Sequence, residues 1–193
     1  MNVANTDYVE PKPAPGPLRL VQEFVNTRDM DYSIEDLPNP EALTAWLRKA
    51  SLLEDSAEAS VADFEKAISI REALRSLLWA HNGGEAEQRT LQDLDQLADS
   101  CPHRVRFDAT GEARVAVRAA AVEEALGGLF GVVLYAQAAG TWERLKACAN
   151  PTCRWIFYDG SKNRVGRWCR MSMCGNRAKS KAHRERRKNA SVR

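Results

Sequence analysis

Four of the five cysteines fall in one short window, as Cys148-x4-Cys153 and, after fifteen intervening residues, Cys169-x4-Cys174. Closely spaced thiols in a reducing compartment read as metal ligands before they read as disulfides. A Zn²⁺ ion takes four thiolates in a tetrahedron at about 2.3 Å. Two ligands from each of two tight loops, with the pairs roughly 15–20 residues apart, is the ribbon form of that arrangement. The x4 gap is wider than the commoner x2, so these loops differ from standard knuckles. An iron–sulfur cluster uses the same ligands, but no redox-partner motif accompanies them. The expectation is one zinc ion per chain, held by Cys148, Cys153, Cys169 and Cys174. Cys101, followed by Pro102, stands apart and reads as an ordinary free thiol.

The elements around the cysteines suggest what the metal organises. Arg154-Trp155-Ile156-Phe157-Tyr158 has the composition of a strand, Asp159-Gly160 turns the chain, and Arg167-Trp168 leads to the second pair. A hairpin of these two segments would deliver all four thiols to one point. After Ser172 the pattern is helical. Arg177, Lys181, Arg184 and Lys188 fall at i, i+4, i+7 and i+11, one stripe of a helix. That helix has no apolar face, so its support must come from the metal at its N-terminal end and from an anion along the stripe. Candidate nucleic-acid contacts are Arg164, Arg167, Asn176, Arg177, Lys179, Lys181, Arg184, Arg186, Arg187 and Lys188. Most would meet phosphates, which set affinity rather than specificity. Any specificity would sit nearer the metal, in Asn176, Arg177 or the loop 159–167. Trp155, Phe157, Tyr158 and Trp168 either stack unpaired bases or form a small core that shields the metal, and the second role is the favoured one.

The charge distribution agrees. From Thr141 to Arg193 there are 15 Lys+Arg against 3 Asp+Glu, or +12. The preceding 140 residues carry 13 against 23, or −10, leaving the net +2. A basic end for a polyanion and an acidic body for another task is the natural reading.

The body positions this module. Residues 1–17, with Pro11, Pro13, Pro15 and Pro17, read as a disordered arm. Leu20, Val21, Phe24 and Val25 have helical spacing, and a loop with Asp29, Asp31, Pro38 and Pro40 follows. Asn39-Pro40 is a helix start, and Leu43, Trp46 and Leu47 follow. Ser60 to His81 is the clearest amphipathic helix, ended by Asn82-Gly83-Gly84. Further helices are expected over 87–98 and 119–139. Between them Val105–Phe107 and Ala113–Val117 alternate around Thr110-Gly111, a hairpin signal. The fold class is mainly α with a β-hairpin: a helical N-terminal domain over 18–140, expected to fold alone, a treble-clef or zinc-ribbon-like module over 145–188, and a basic tail over 189–193.

Cys148-Ala-Asn-Pro-Thr-Cys153, Phe157-Tyr158-Asp159 with Ser161 and Asn163, Arg167-Trp168-Cys169 and Met173-Cys174-Gly175-Asn176-Arg177-Ala178-Lys179 together resemble the CGNR zinc-finger family, over roughly 145–188. Proteins of that family carry an N-terminal helical domain called ABATE, a stress-induced transcription regulator. Phe24-Val25-Asn26-Thr27 resembles its opening, with Glu23 at the acidic position. The resemblance implies a prokaryotic transcription regulator or RNA-binding protein, and it marks Asn26 as a ligand-pocket residue.

The function read from the chain is a zinc-binding, nucleic-acid-binding transcription regulator, with DNA favoured over RNA. A protein-interaction module is the rival. No phosphate loop, paired-His metal motif or Ser-His-Asp arrangement stands out, so the chain does not read as an enzyme. His81, His103 and His183 each stand alone. A small-molecule effector at the N-terminal domain and a homodimer are the remaining partner expectations. No apolar run approaches the length of a membrane span, no signal peptide opens the chain, and the expected location is the cytoplasm.

Overall fold

The structure is a computed structural model that describes residues 12–86, 88–101, 105–107, 109–115 and 119–190. The helices are α1 (Leu18–Val25), α2 (Pro40–Lys49), α3 (Val61–Ala80), α4 (Gln88–Asp99), α5 (Val122–Ala138) and α6 (Asn176–Ala190). Three antiparallel pairs accompany them among the described residues: β1 (Arg28–Asp29) with β2 (Ile34–Glu35), β3 (Val105–Phe107) with β4 (Ala113–Val115), and β5 (Leu145–Ala147) with β6 (Ile156–Tyr158). The mainly α class with a small metal-binding module is the one the sequence indicates.

Local chemistry sets the helix starts. Asn39 Oδ1 accepts from Ala42 N at 2.9 Å, with Pro40 at the first helical position of α2. Ser60 and Asp63 form a reciprocal capping box at the start of α3: Asp63 N donates to Ser60 Oγ at 3.2 Å, and Ser60 N donates to Asp63 Oδ2 at 2.9 Å. The 20-residue α3 is the centre of the molecule and packs against α1, α2, α4, α5 and β5. Ala67, Ile70, Leu74 and Leu78 give it a buried stripe, which meets Val21, Phe24 and Val25 of α1 and Leu126 and Leu129 of α5 in one core.

Three features differ from the sequence expectation. The segment read as a loop after α1 contains the β1–β2 pair, whose strands are two residues each and too short to show alternation. The strand around Phe157 does not pair with the segment before Cys169. It pairs with β5, in the register Leu145↔Tyr158, Lys146↔Phe157 and Ala147↔Ile156, so that the Cys148–Cys153 loop is the bend of the hairpin. Lys146 interrupts the apolar pattern of β5, which is why its sequence does not announce a strand. Residues 12–17, read as part of a disordered arm, lie against the finger: Lys12 O accepts from Tyr158 N at 2.9 Å, Ala14 N donates to Gln22 Oε1 at 2.6 Å, and Ala14 is buried. The rest of the arm, 1–11, and the ends of the β4 and tail expectations, 116–117 and 191–193, lie outside the described residues.

The core does not stop at residue 140. Leu145, Ala147 and Ile156 belong to the same buried cluster as Phe24, Leu74 and Leu126. A second, small cluster gathers the four cysteines, Phe157, Trp155 and Trp168. The β5–β6 hairpin is therefore shared, one face in the body's core and one end in the metal site.

A chain ending at residue 140 is expected to be loosened rather than intact. Leu145 and Ile156 are both fully buried, and losing the two side chains removes roughly 3–6 kcal/mol of apolar burial. Urea unfolding of chains ending at 140 and at 160 checks this, and equal midpoints would show that the hairpin is dispensable to the body.

Candidate metal centre and nucleic-acid interface

Four buried cysteines converge at the end of the β5–β6 hairpin: the sulfurs of Cys148, Cys153, Cys169 and Cys174 all lie within 4.8 Å of one another. A tetrahedron with metal–sulfur bonds of about 2.3 Å has edges of about 3.8 Å. The Sγ–Sγ separations of Cys153–Cys169 and Cys169–Cys174 are both 3.8 Å. The donor set therefore fits a single zinc ion. Backbone hydrogen bonds build each loop: Cys148 N donates to Trp155 O at 2.9 Å and Cys153 N to Asn150 O at 3.0 Å, while Arg154 takes a left-handed turn (φ 47°) to leave the knuckle. Ala149 N donates to Arg167 O at 2.8 Å and so lays the approach to the second pair beside the first. Asn150 Nδ2 points at Cys174 Sγ from 3.7 Å, a donor to a thiolate. Hydrogen bonds from Cys153 and Cys169 pull the Cys148 thiol down, and the contact with Cys148 pushes Cys169 up to about 12. Among such close sulfurs ionising one thiol opposes ionising the next, and a divalent cation removes that conflict.

The body grips the finger by its backbone. Asn26, at the end of α1, uses both ends of its carboxamide on one residue: Oδ1 accepts from Ile156 N at 2.8 Å and Nδ2 donates to Ile156 O at 2.9 Å. Gln22 Nε2 adds a donor to the same carbonyl at 3.1 Å. From α3, Arg75 donates to Val25 O at 2.6 Å, Arg28 O at 3.2 Å and Arg154 O at 3.3 Å, joining α1, β1 and the knuckle. Just beyond α3, His81 Nδ1 donates to Leu145 O at 2.8 Å, and Asn82 Nδ2 donates to Ala147 O at 2.7 Å and Arg167 O at 2.9 Å. Arg71, fully buried, holds Glu35 of β2 with two bonds of 2.6 and 2.8 Å.

The loop 159–167 is built on a buried ion pair. Lys146 Nζ lies 2.8 Å from Asp159 Oδ2, with side-chain exposures of 7% and 3%. Asp159 also accepts from Ser161 N and Oγ and from Gly166 N. Burial acts to raise its pKa, and the bonds from Lys146, Ser161 and Gly166 outweigh that and leave it well below the usual carboxylate range. A Cβ at Gly166 would come within 2.7 Å of the Asp159 carboxylate and push it from its ion pair.

The segment Cys174-Gly175-Asn176-Arg177 divides its labour residue by residue. Cys174 is a ligand. Gly175 leaves room for the Met171 thioether, which folds back over it in the wide π turn Met171–Gly175. Asn176 Nδ2 donates to Ser172 O at 3.0 Å and closes that turn. Arg177 reaches back to the body, where its Nη1 donates to both carboxylate oxygens of Asp31 at 2.7 Å.

The other sequence-derived candidates divide accordingly. Lys179, Lys181, Arg184, Arg186, Arg187 and Lys188 are all exposed along α6. Arg164 and Arg167 are exposed on the loop, Arg164 lying 3.7 Å from Glu143. Arg177, at the start of the stripe, is engaged by Asp31 of the body. Phe157 is fully buried, Trp155 and Trp168 pack on the cysteines and Tyr158 on the main core. Asn26 borders a cleft between the β1–β2 hairpin and the metal site, while its carboxamide is bonded to Ile156. Sequence reasoning missed Arg71, Arg75, Lys146 and Asp31. Arg71 and Arg75 sit inside the apolar stripe of α3, four residues after Ala67 and one after Leu74, and that misplacement was the available signal.

A helical domain that carries a treble-clef-like zinc finger on its own core is the class that fold and site define. The CGNR zinc finger family model matches residues 144–187, and the model for ABATE, described as "Putative stress-induced transcription regulator", matches 18–147. The chain belongs to the ABATE family. No curated protein matches the sequence. The family descriptions name a regulator and a zinc finger rather than an enzyme. Among the described residues no helix is long and apolar enough to cross a membrane.

Cys153→Ser should abolish stoichiometric zinc and melt α6, whose side chains have no buried face, while α1–α5 remain folded. Elemental analysis and the loss of the far-ultraviolet signal of about one 15-residue helix check this. Asp159→Asn should leave zinc content intact but strand Lys146 as a buried, unpaired charge, at a cost of about 3–5 kcal/mol by denaturant unfolding at neutral pH. Because the folded pKa of Asp159 is depressed, its contribution is complete above the ordinary carboxylate value and is lost as pH falls through the folded one.

Proposed function

We propose that this chain is a zinc-dependent regulator that binds duplex DNA through α6 and the neighbouring basic loop, with the helical body as the sensing half. The observation that carries this reading is α6 itself. It projects from the metal site with Lys179, Lys181, Arg184, Arg186, Arg187 and Lys188 exposed and no buried side chain among its described residues. A helix of this kind is matched to a polyanion, and each neutralised phosphate contributes by counterion release. The position of the metal at its start supports the same reading: a zinc tetrathiolate carries a formal −2, which complements the positive end of the helix dipole. Duplex DNA is favoured over single-stranded RNA because Phe157 is buried and Trp155, Tyr158 and Trp168 pack against the cysteines and the core, none of them standing fully exposed for a run of bases.

Filter binding of the zinc-loaded protein to duplex DNA, single-stranded DNA and structured RNA at two salt concentrations tests the proposal. Arg184→Glu with Lys188→Glu should weaken binding to all sequences about equally and reduce the salt slope by roughly one unit per lost contact. Zinc content should stay unchanged. If the double variant binds as the parent does at the same salt, α6 is not the contact surface, and a protein-interaction role takes first place.

A further inference from the structure

The cleft between the β1–β2 hairpin and the metal site has a cavity volume of about 540 Å³, the scale of a small-molecule site. Its walls are unusual in charge. Asp29, Asp31 and Asp36 line it together with the metal-site cysteines Cys153, Cys169 and Cys174. With zinc bound, the four-thiolate centre carries a formal −2. Against this stand two cations, Arg170 in the wall and Arg177 on Asp31. The remaining lining is apolar and aromatic: Tyr32, 59% exposed, Ile34, 53% exposed, Trp155 and Met173.

We infer that this cleft binds an organic cation, an amine carried on an aromatic or alkyl body. The charge selects the class. A phosphate or carboxylate ligand would face three carboxylates and the metal centre, whereas an ammonium group gains from each of them. The rings select the body, since a cation over Tyr or Trp is held by the ring face as well as by carboxylates. Two of the carboxylates have distinct roles. Asp29 Oδ1 is committed to the turn, accepting from Asp31 N at 2.9 Å and Tyr32 N at 3.1 Å. Asp31 already holds a cation, the Arg177 guanidinium, with both oxygens at 2.7 Å. The arginine shows that this carboxylate accepts a cation in place, and an amine in the cleft competes with it. Arg177 is the second residue of α6, so occupancy of the cleft loosens the tie between the body and the basic helix. That last step rests on the nucleic-acid reading; the binding of the amine does not.

The test uses the full zinc-loaded chain and no nucleic acid. Benzylamine and phenylacetate, alike in size and opposite in charge, are titrated at millimolar concentration by calorimetry and by chemical-shift perturbation of Tyr32 and Trp155. Benzylamine should bind and phenylacetate should not. Asp36→Asn and Tyr32→Ala should each weaken benzylamine by about tenfold, the loss of one charged or cation–ring contact, with zinc content unchanged. Arg177→Ala should strengthen it, because the internal competitor is gone, a gain that a misfolded variant would not produce. Equal binding of both compounds, binding of neither, or affinity unmoved by Tyr32→Ala and Arg177→Ala overturns the proposal, as does binding of Mg²⁺ alone with no response to benzylamine. A failure of the α6 charge reversal leaves these outcomes untouched, so the two readings fail separately.

Discussion

The position of the whole finger is referred to the body through the carboxamide of Asn26 and the main chain of Ile156. An asparagine side chain that both accepts from and donates to one residue imitates the edge of a β-strand, and here it does so in a buried setting where unpaired amides are expensive. β6 has β5 on one side and, on the other, the side chains of Asn26 and Gln22 and the Lys12 carbonyl. Its amide groups would otherwise be an exposed edge. Apolar contact alone would let a three-residue strand slide, since a slip of one residue turns every side chain to the opposite face. The paired hydrogen bonds fix the register, and the register fixes where Cys148 and Cys153 present their sulfurs.

The same economy governs charge. Several carboxylates of the body meet basic groups of known position: Glu35 pairs with Arg71, Glu72 with Arg71 and Arg75, and Asp31 with Arg177. Arg71 and Arg75 are almost wholly buried, and each satisfies several acceptors at once, which is the condition under which a buried guanidinium is tolerated. By contrast the basic side chains of α6 are exposed, and Lys181 and Glu185, 4.0 Å apart, form a loose exposed pair. The chain thus uses some of its carboxylates to hold buried arginines and leaves α6 basic.

Much of this was legible in the sequence, and the limits have physical reasons. The zinc ligands were legible because thiolate spacing constrains geometry directly. The caps of α2 and α3 were legible because Asn39-Pro40 and Ser60…Asp63 act locally. The partner of β6 was not, because a three-residue strand that contains Lys146 has no period to detect, and because that lysine is buried by Asp159, thirteen residues away. Arg177 was read as a phosphate contact from its place in a stripe. Its partner Asp31 lies 146 positions earlier, and no local pattern announces such a contact. The body and the finger looked separable because their compositions differ; the core they share is visible only once Leu145 and Ile156 are seen in it.

The anchoring of α6 carries a mechanical consequence. The helix has 15 residues, a length of about 22 Å. Its fixed points, the Cys174 ligand, the closed π turn and the Arg177–Asp31 pair, all lie at its first turn. Beyond them Lys181, Arg184 and Lys188 repeat like charge at i, i+3 and i+7, which opposes helix formation in water, and an isolated helix of this length is marginal in any case. Phosphates along the stripe would replace that repulsion with attraction. The stability of the outer turns therefore depends on what lies beside them, while their direction is set at the metal, so the contacts of that first turn are where the body would influence a polyanion bound along the helix.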